Sequence, residues 1–268
     1  MKLTASEAAD SVVARTNLDG VALKPTECDV SAAVDLPVDL VCLDYEGREA
    51  LPDADALAAL AESVDLRVTT PVRADGFDPR GDDSLVETLP EAAKRVLVAG
   101  HGAYLSETER KRAVAPRLGD AAAAVREAGG TPWVGTEGVE RLALAAGGVQ
   151  YDLLSRTTER DVRGLRAAGF DGEVALYAPV VPTDDEDAVL DAVGDYAARR
   201  RPVREALPEG AETDAAATGR AREVLSAAVR DFALVGDPET IGERVRELKA
   251  VGVDHVVGYP ATGVDALR

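Results

Sequence analysis

Residues Gly172–Arg199 read GEVALYAPVVPTDDEDAVLDAVGDYAAR, and this stretch carries the pattern that decides the fold. Its first part, Gly172–Ala178, is a short apolar run without the polar alternation of a half-exposed strand. Its second part, Asp184–Arg199, is polar and helix-prone. An apolar run followed by such a stretch is typical of a strand in a parallel sheet and of the helix that covers it.

The same unit recurs on both sides of this stretch. The other strand-like runs are Gly20–Pro25, Val38–Asp44, Asp65–Val72, Arg95–Gly100, Pro132–Gly135, Val149–Leu154 and Asp254–Tyr259. Eight units in 268 residues match the size of a closed β/α barrel. We therefore predict an α/β fold, a single (β/α)8 TIM-type barrel domain over residues 1–268. An open doubly wound sheet is the alternative, but the first run is followed by Lys24–Glu27 (KPTE) rather than by a glycine-rich dinucleotide fingerprint.

Helical segments follow most of the runs. The predicted helices are Asp53–Ser63, Ser106–Ala113, Gly119–Ala128, Val139–Ala146, Thr158–Ala168, Asp184–Arg199, Asp214–Arg230 and Pro238–Val251. Ser106 with Glu109 forms a capping box. The amphipathic segment Met1–Gly20 predicts an N-terminal helix, and the helices over 214–251 are extra helices before the last strand. Arg200–Thr213, with two prolines and a glycine, is expected to be a loop or a mobile flap.

The composition limits the possible partners and the compartment. Lys+Arg is 30 and Asp+Glu is 49, which gives a formal net charge of −19, and only five of the basic residues are lysines. This pattern indicates a surface adapted to concentrated salt, and it argues against binding to nucleic acid. Residues 1–20 contain no long apolar run, so neither a secretory signal nor a membrane span is expected, and the cytoplasm is the expected compartment. Cys28 and Cys42 are too few for a disulfide framework or a zinc site. A homodimer is the expected oligomer.

Polar side chains stand at the ends of the predicted strands, where barrel enzymes carry their chemistry. They are Lys24, Asp44, Glu46, Thr70, Arg73, His101, Glu137, Arg156 and Tyr177. We expect them to converge on one mouth of the barrel.

Several of these residues have both a chemical and a structural interpretation. Lys24 is either an amine nucleophile or the ion-pair partner of Asp44 or Glu46. His101 is either a general acid–base or a loop cap. No tight ligand motif joins His101 to the acidic residues, so no metal site is predicted.

The arginines and glycines of the mouth have the same ambiguity. Arg73 and Arg156 are candidates for carboxylate or phosphate recognition, or for internal salt bridges. Gly258 and Gly263 flank the last strand end, where barrels often bind phosphate through backbone N–H groups, although glycine is also routine in turns.

The C-terminal segment Phe232–Pro260, FALVGDPETIGERVRELKAVGVDHVVGYP, resembles the closing segment of the luciferase-like flavin and deazaflavin oxidoreductases. It is most similar to the methylenetetrahydromethanopterin reductases. The matching positions are Gly236, Pro238, Glu239, Glu243, Arg244, Gly252, Val253, Asp254, His255, Val256 and Val257. Val174–Val181 and Leu66–Pro79 are similar to the seventh-strand and third-strand segments of that family.

The resemblance implies an oxidoreductase that uses coenzyme F420, a deazaflavin, or FMN to exchange a hydride with a small organic substrate. It implies that Thr70 and Arg73, with Arg156 and Tyr177, lie near the cofactor. Gly258 and Gly263 would then lie near its phosphate. His101 and Glu137 are the candidate proton-transfer groups.

Two other hypotheses remain open on the sequence. One is a redox-free barrel lyase, aldolase or hydrolase that uses Lys24, Asp44, Glu46, His101 and Glu137. The other is a non-catalytic barrel homologue that binds no cofactor.

Overall fold

The computed structural model describes residues 11–268. Its strands are β1 (Gly20–Leu23), β2 (Leu40–Leu43), β3 (Asp65–Pro71), β4 (Lys94–Val98), β5 (Trp133–Gly135), β6 (Val149–Leu153), β7 (Val174–Val181), β8 (Leu234–Val235) and β9 (His255–Pro260). Its α-helices are α1 (Val12–Thr16), α2 (Ala54–Ala61), α3 (Glu107–Arg110), α4 (Val114–Glu127), α5 (Glu140–Ala146), α6 (Thr158–Ala167), α7 (Glu186–Ala198), α8 (Arg201–Ala206), α9 (Gly219–Phe232) and α10 (Pro238–Ala250). Among these residues, no helix combines the length and apolar character needed to cross a bilayer.

Eight of the strands form a closed parallel barrel. β1 to β7 pair in sequence order, and β9 closes the barrel between β7 and β1. The ninth strand, β8, pairs only with the last two residues of β7, Val180 and Val181. The predicted α/β barrel is confirmed, and all eight predicted strand positions are confirmed to within a few residues.

Alternation along each strand divides the core into an inner and an outer layer. On β7, Ala175 and Tyr177 point into the barrel, whereas Val174 and Leu176 pack outward under the helices. Both layers are apolar, which is why the strand sequences lack polar alternation. The inner layer contains several aromatic side chains, and these build the floor of the site described below.

The largest departure from the predicted organisation lies between β7 and β9. Helices α7, α8 and α9 pack on one another around an apolar cluster of their own, which includes Leu190, Leu225 and Phe232. We call residues 186–232 the helical insertion. The predicted loop or flap over Arg200–Thr213 is wrong for its first half, because α8 forms there with Pro202 in its first turn.

One connection also differs from that of an ideal barrel. Residues 72–93 contain no helix or strand, and the buried Asp78 anchors them through ion pairs with Arg112 and Arg117 at 3.2 and 2.8 Å. The predicted capping box of Ser106 and Glu109 is confirmed at the start of α3. Of the predicted N-terminal helix, α1 is described, while residues 1–10 lie outside the described residues.

Candidate active site

A cavity of about 650 Å³ opens at the carboxyl ends of the barrel strands. Six of the residues predicted for the site line it: Lys24, Asp44, Glu46, His101, Glu137 and Tyr177. The predicted convergence on one mouth is thus confirmed for these six. Their position follows from topology, because parallel strands of a barrel all end at the same rim.

Lys24 forms an ion pair rather than a free amine. Its Nζ lies 2.9 Å from Glu27 Oε1 and 4.1 Å from the centre of the Tyr259 ring. Burial alone would lower the pKa of Lys24, but its hydrogen bonds with Glu27 and Tyr259 outweigh burial and raise it. The expected pairing with Asp44 or Glu46 is corrected to Glu27. Since a nucleophilic lysine must lose its proton, the structure argues against the aldolase-type alternative.

Asp44 directly follows β2 and lines the same cavity. Burial raises the pKa of its carboxyl group from 3.8 to about 7. The charge of Lys24 and a hydrogen bond with Tyr177 oppose this shift, while Glu46 and Glu27 reinforce it. A carboxyl group that titrates near neutral pH can both accept and donate a proton, which is the requirement for a general acid–base.

Glu46 and His101 have mainly local partners. Glu46 Oε2 accepts hydrogen bonds from the backbone N–H and the hydroxyl of Thr26, at 3.0 and 2.5 Å. The exposed His101 accepts a hydrogen bond at Nδ1 from the Ala103 N–H, which is the loop-capping interpretation. These contacts hold the rim of the cavity in shape.

Thr70 and Arg73 do not reach the cavity, although both were predicted to lie near a cofactor. Thr70 points outward from β3, where its hydroxyl accepts a hydrogen bond from Arg95 Nε at 3.2 Å. Arg73 donates hydrogen bonds to the carbonyl groups of Ala99, Gly100 and Arg110 at 2.7 to 3.0 Å. Because Ala99 and Gly100 line the cavity, Arg73 supports the mouth from behind.

Arg156, Gly258 and Gly263 also lie away from the cavity lining. Arg156 is exposed in the loop after β6. A Cβ atom on Gly258 would lie 2.7 Å from Leu18 Cδ1, so this glycine allows close packing on the outer face of β9. Gly263 has a φ of +94° and serves as a turn residue before a short 3-10 helix. Neither glycine lines the cavity, and the phosphate site predicted there stays a prediction.

The sequence prediction missed a second group of cavity residues, namely Tyr151, Tyr196, Arg199 and Arg200. The place of Tyr151 in the cavity follows from the alternation of side chains along β6, which points this ring into the barrel. Tyr196 lies on α7 and Arg200 lies between α7 and α8, and nothing local in the sequence shows that these positions meet the barrel mouth. Among residues 11–268 no group of three or more His, Cys, Asp or Glu has the arrangement of a metal site.

A model of a family of unknown function, DUF7388, matches residues 13–267. The chain belongs to this family. A search of curated proteins finds no match to the DUF7388 chain. Its fold is similar to a solved structure described as an F420-dependent secondary alcohol dehydrogenase in complex with an F420–acetone adduct, with a TM-score of 0.57 and 13% identity. The likeness covers 94% of the DUF7388 chain and 99% of the dehydrogenase chain, so the two share a β/α barrel fold.

Proposed function

We propose that the DUF7388 chain is an oxidoreductase that transfers a hydride between a deazaflavin or flavin cofactor and a small organic substrate. The observation that carries this proposal is Asp44, a carboxyl group with a pKa of about 7 on the wall of the barrel-mouth cavity. The shared fold with an F420-dependent dehydrogenase adds support.

The cavity residues fit a cofactor of this kind. Pockets of ~300–1,000 Å³ hold ligands of this size, and the volume here is about 650 Å³. The wall is aromatic, with Tyr177 and Tyr259 stacked at 6.0 Å between ring centres. Arg200 Nε is a buried donor without a protein partner, and the buried Tyr151 and Tyr196 hydroxyls have only Cys42 and Arg200 as polar neighbours; all three belong to lining residues and could hydrogen-bond a heteroatom-rich ring or its side chain.

When bound, a flavin or deazaflavin supplies the site that accepts or gives up a hydride. The task of the protein is to orient the substrate and to handle the accompanying proton. Oxidation of an alcohol to a carbonyl releases the hydroxyl proton, and Asp44 is the group suited to accept it and to return it in the reverse direction. His101 and Glu137 line the same cavity and are secondary candidates for this role.

The first test is titration of the purified protein, in concentrated salt, with coenzyme F420 and with FMN, followed by fluorescence. We expect micromolar or tighter binding of one of the two. Turnover of small alcohols and aldehydes is then followed by the change in cofactor absorbance.

Asp44→Asn separates binding from catalysis in this assay. It should keep cofactor affinity and lower turnover by about 10²–10⁴-fold, the usual contribution of general acid–base catalysis. Asp55→Asn is the matched control, because Asp55 is exposed on α2 and does not line the cavity. A folded protein that binds neither cofactor would exclude this function and leave redox-free acid–base chemistry at Asp44.

A further inference from the structure

Two side chains of the helical insertion, Tyr196 and Arg200, form one wall of the cavity. The Arg200 guanidinium lies 4.4 Å from the centre of the Tyr196 ring and 5.9 Å from that of Phe232. This stacking fixes the plane of the guanidinium group. Arg200 is therefore held by aromatic faces, and its N–H groups point out of the stack toward whatever lies beside it.

Most of the hydrogen-bonding capacity of Arg200 is unused by the protein. A guanidinium has five N–H donors. The contact from Nη1 to Glu137 Oε1 is long, at 3.4 Å, and Glu137 is 62% exposed. Such an exposed pair contributes little. Nε is buried without a hydrogen-bond partner.

The unused donors have the geometry of a recognition group. Nε and Nη2 lie on the same edge of a guanidinium, and this edge binds both oxygens of a carboxylate or phosphate in parallel. The Tyr196 hydroxyl is also buried, its nearest polar neighbour is the Arg200 guanidinium, and it belongs to the ring against which Arg200 stacks. A buried donor without an acceptor destabilises the folded protein, so an oxyanion at this wall would supply the acceptor that Arg200 lacks.

The neighbouring arginine shows that this arrangement is specific to Arg200. Arg199 also borders the cavity, but its side chain is 73% exposed and pairs with Asp195 one turn earlier on α7. Arg201 is 80% exposed and pairs with Glu205 at 2.8 Å. Only Arg200 in this run of three combines a buried, unpartnered Nε with a place in the cavity wall.

We infer that Arg200 and Tyr196 form an oxyanion subsite, so the ligand of this cavity carries a carboxylate or a phosphate group. The anion belongs either to the substrate, which is then a small organic acid, or to the phosphate of the cofactor. That second assignment rests on the proposed function, whereas the subsite itself does not.

The test compares charged ligands with neutral analogues of the same shape, by calorimetry at one fixed KCl concentration. The substrate arm uses lactate against propane-1,2-diol. The cofactor arm uses FMN against riboflavin, and F420 against its ring fragment without phosphate. The variants are Arg200→Gln and Tyr196→Phe, with Arg201→Gln as the matched control and near-UV circular dichroism to verify folding.

We expect Arg200→Gln to weaken the binding of the anionic ligand by about 10–100-fold, which is the effect of losing a hydrogen bond to a charged group. The affinity for the neutral analogue should not change. Tyr196→Phe, which keeps the aromatic ring, should weaken the anion by a smaller factor. Arg201→Gln should bind like the wild type. A response to lactate assigns the anion to the substrate, and a response to FMN or F420 assigns it to the cofactor.

Equal binding of every anion by wild type, Arg200→Gln and Tyr196→Phe, or no binding of any anion to the wild type, would overturn the subsite. The two proposals fail separately. If the cofactor binds with an affinity that depends neither on Arg200 nor on the phosphate group, the oxidoreductase proposal stands and the subsite is disproved. If lactate binds in an Arg200-dependent way and no flavin or deazaflavin binds, the subsite stands and the oxidoreductase proposal is disproved.

Discussion

The two ends of the barrel each hold an arginine against an aromatic ring, and they use it differently. At the amino-terminal end, the Arg67 guanidinium lies 4.0 Å from the centre of the Trp133 ring. At the carboxyl end, Arg200 lies 4.4 Å from the Tyr196 ring. In both arginines Nε is buried without a hydrogen-bond partner.

The surroundings of the two arginines decide their roles. The Arg67 side chain is only 10% exposed, contacts Asp65 at 3.1 Å and packs inside the barrel. Arg200 is 22% exposed and borders a cavity of about 650 Å³. Ligands reach a β/α barrel from the carboxyl ends of its strands. An unpartnered N–H is thus a cost of close packing at one end and a binding group at the other.

Substituting each arginine by methionine gives the sharpest test of this difference. Arg67→Met should lower the free energy of unfolding by about 2 kcal/mol, because it removes the stacking on Trp133 and one of the two cations that pair with Asp65, the other being Lys94. Arg200→Met should cost less than about 1 kcal/mol, since its ion pair is exposed. Urea unfolding in constant salt measures both values.

The two arginines do not have different roles if the two losses of stability are equal, or if Arg67→Met changes ligand affinity at the mouth. A large loss of stability in Arg200→Met alone would make that arginine a structural clamp of the helical insertion.

The barrel body was predictable because its signal is local. The run of β7, VALYAPVV, is apolar on both faces, and Ser106 with Glu109 marks a helix start within four residues. The same alternation also places Tyr177 and Asp44 at the mouth, so part of the site follows from the sequence.

The rest of the site depends on contacts between distant segments. Arg200 contacts Glu137, which lies 63 residues earlier in the chain, and no sequence pattern near either position indicates this contact. Arg73 has the charge of an anion-binding residue, but its donors are used by carbonyl groups more than 25 residues away. A sequence identifies which side chains can bind an anion, and only the fold decides which of them remain free to do so.

The second prediction concerns pH and acts at the mouth alone. In the folded state the pKa of Asp44 is about 7, against an ordinary value of 3.8. Between these values Asp44 binds more protons in the folded protein than in the unfolded chain, so its own contribution to stability falls as the pH rises from ~4 to ~8. Asp44→Asn should be more stable than wild type by about 1–2 kcal/mol at the upper end, after allowance for water in the open cavity.

Thermal unfolding of wild type, Asp44→Asn and Asp55→Asn across this range checks the prediction. The Asp55→Asn curve should run parallel to that of the wild type. A parallel curve for Asp44→Asn would mean that the carboxyl group titrates at its ordinary pKa and is not suited to proton transfer near neutral pH.

The third prediction sharpens the role of Arg200. Glu137→Gln removes the one acidic partner of its guanidinium, so the oxyanion affinity should rise by about 2–5-fold, the worth of an exposed ion pair. Calorimetry with lactate and FMN measures this change. The equivalent change at the other end, Asp65→Asn, should leave the affinity unchanged and reduce stability. A fall in affinity on Glu137→Gln would show that Glu137 orients Arg200 rather than competing for it.

The smallest expected change in stability comes from single acidic residues on the surface, and it should be the same at the two ends of the barrel. The formal net charge is −19, and a charge of this size destabilises the compact state by self-repulsion. Asp171 precedes β7 at the closed end and Glu209 lies in the helical insertion; both are exposed and have no ion pair among residues 11–268. Asp171→Asn and Glu209→Gln should each raise stability by about 0.2–0.5 kcal/mol in ~0.1 M KCl, and by nearly nothing in ~1 M, where the screening length falls to ~3 Å. If Asp171→Asn and Glu209→Gln give equal gains in stability that disappear at high salt, the surfaces of the two ends behave alike. The different roles of Arg67 and Arg200 would then come from their surroundings in the interior. A gain that persists in ~1 M KCl at Glu209 alone would instead mean that the acidic surface of the insertion contributes to that difference.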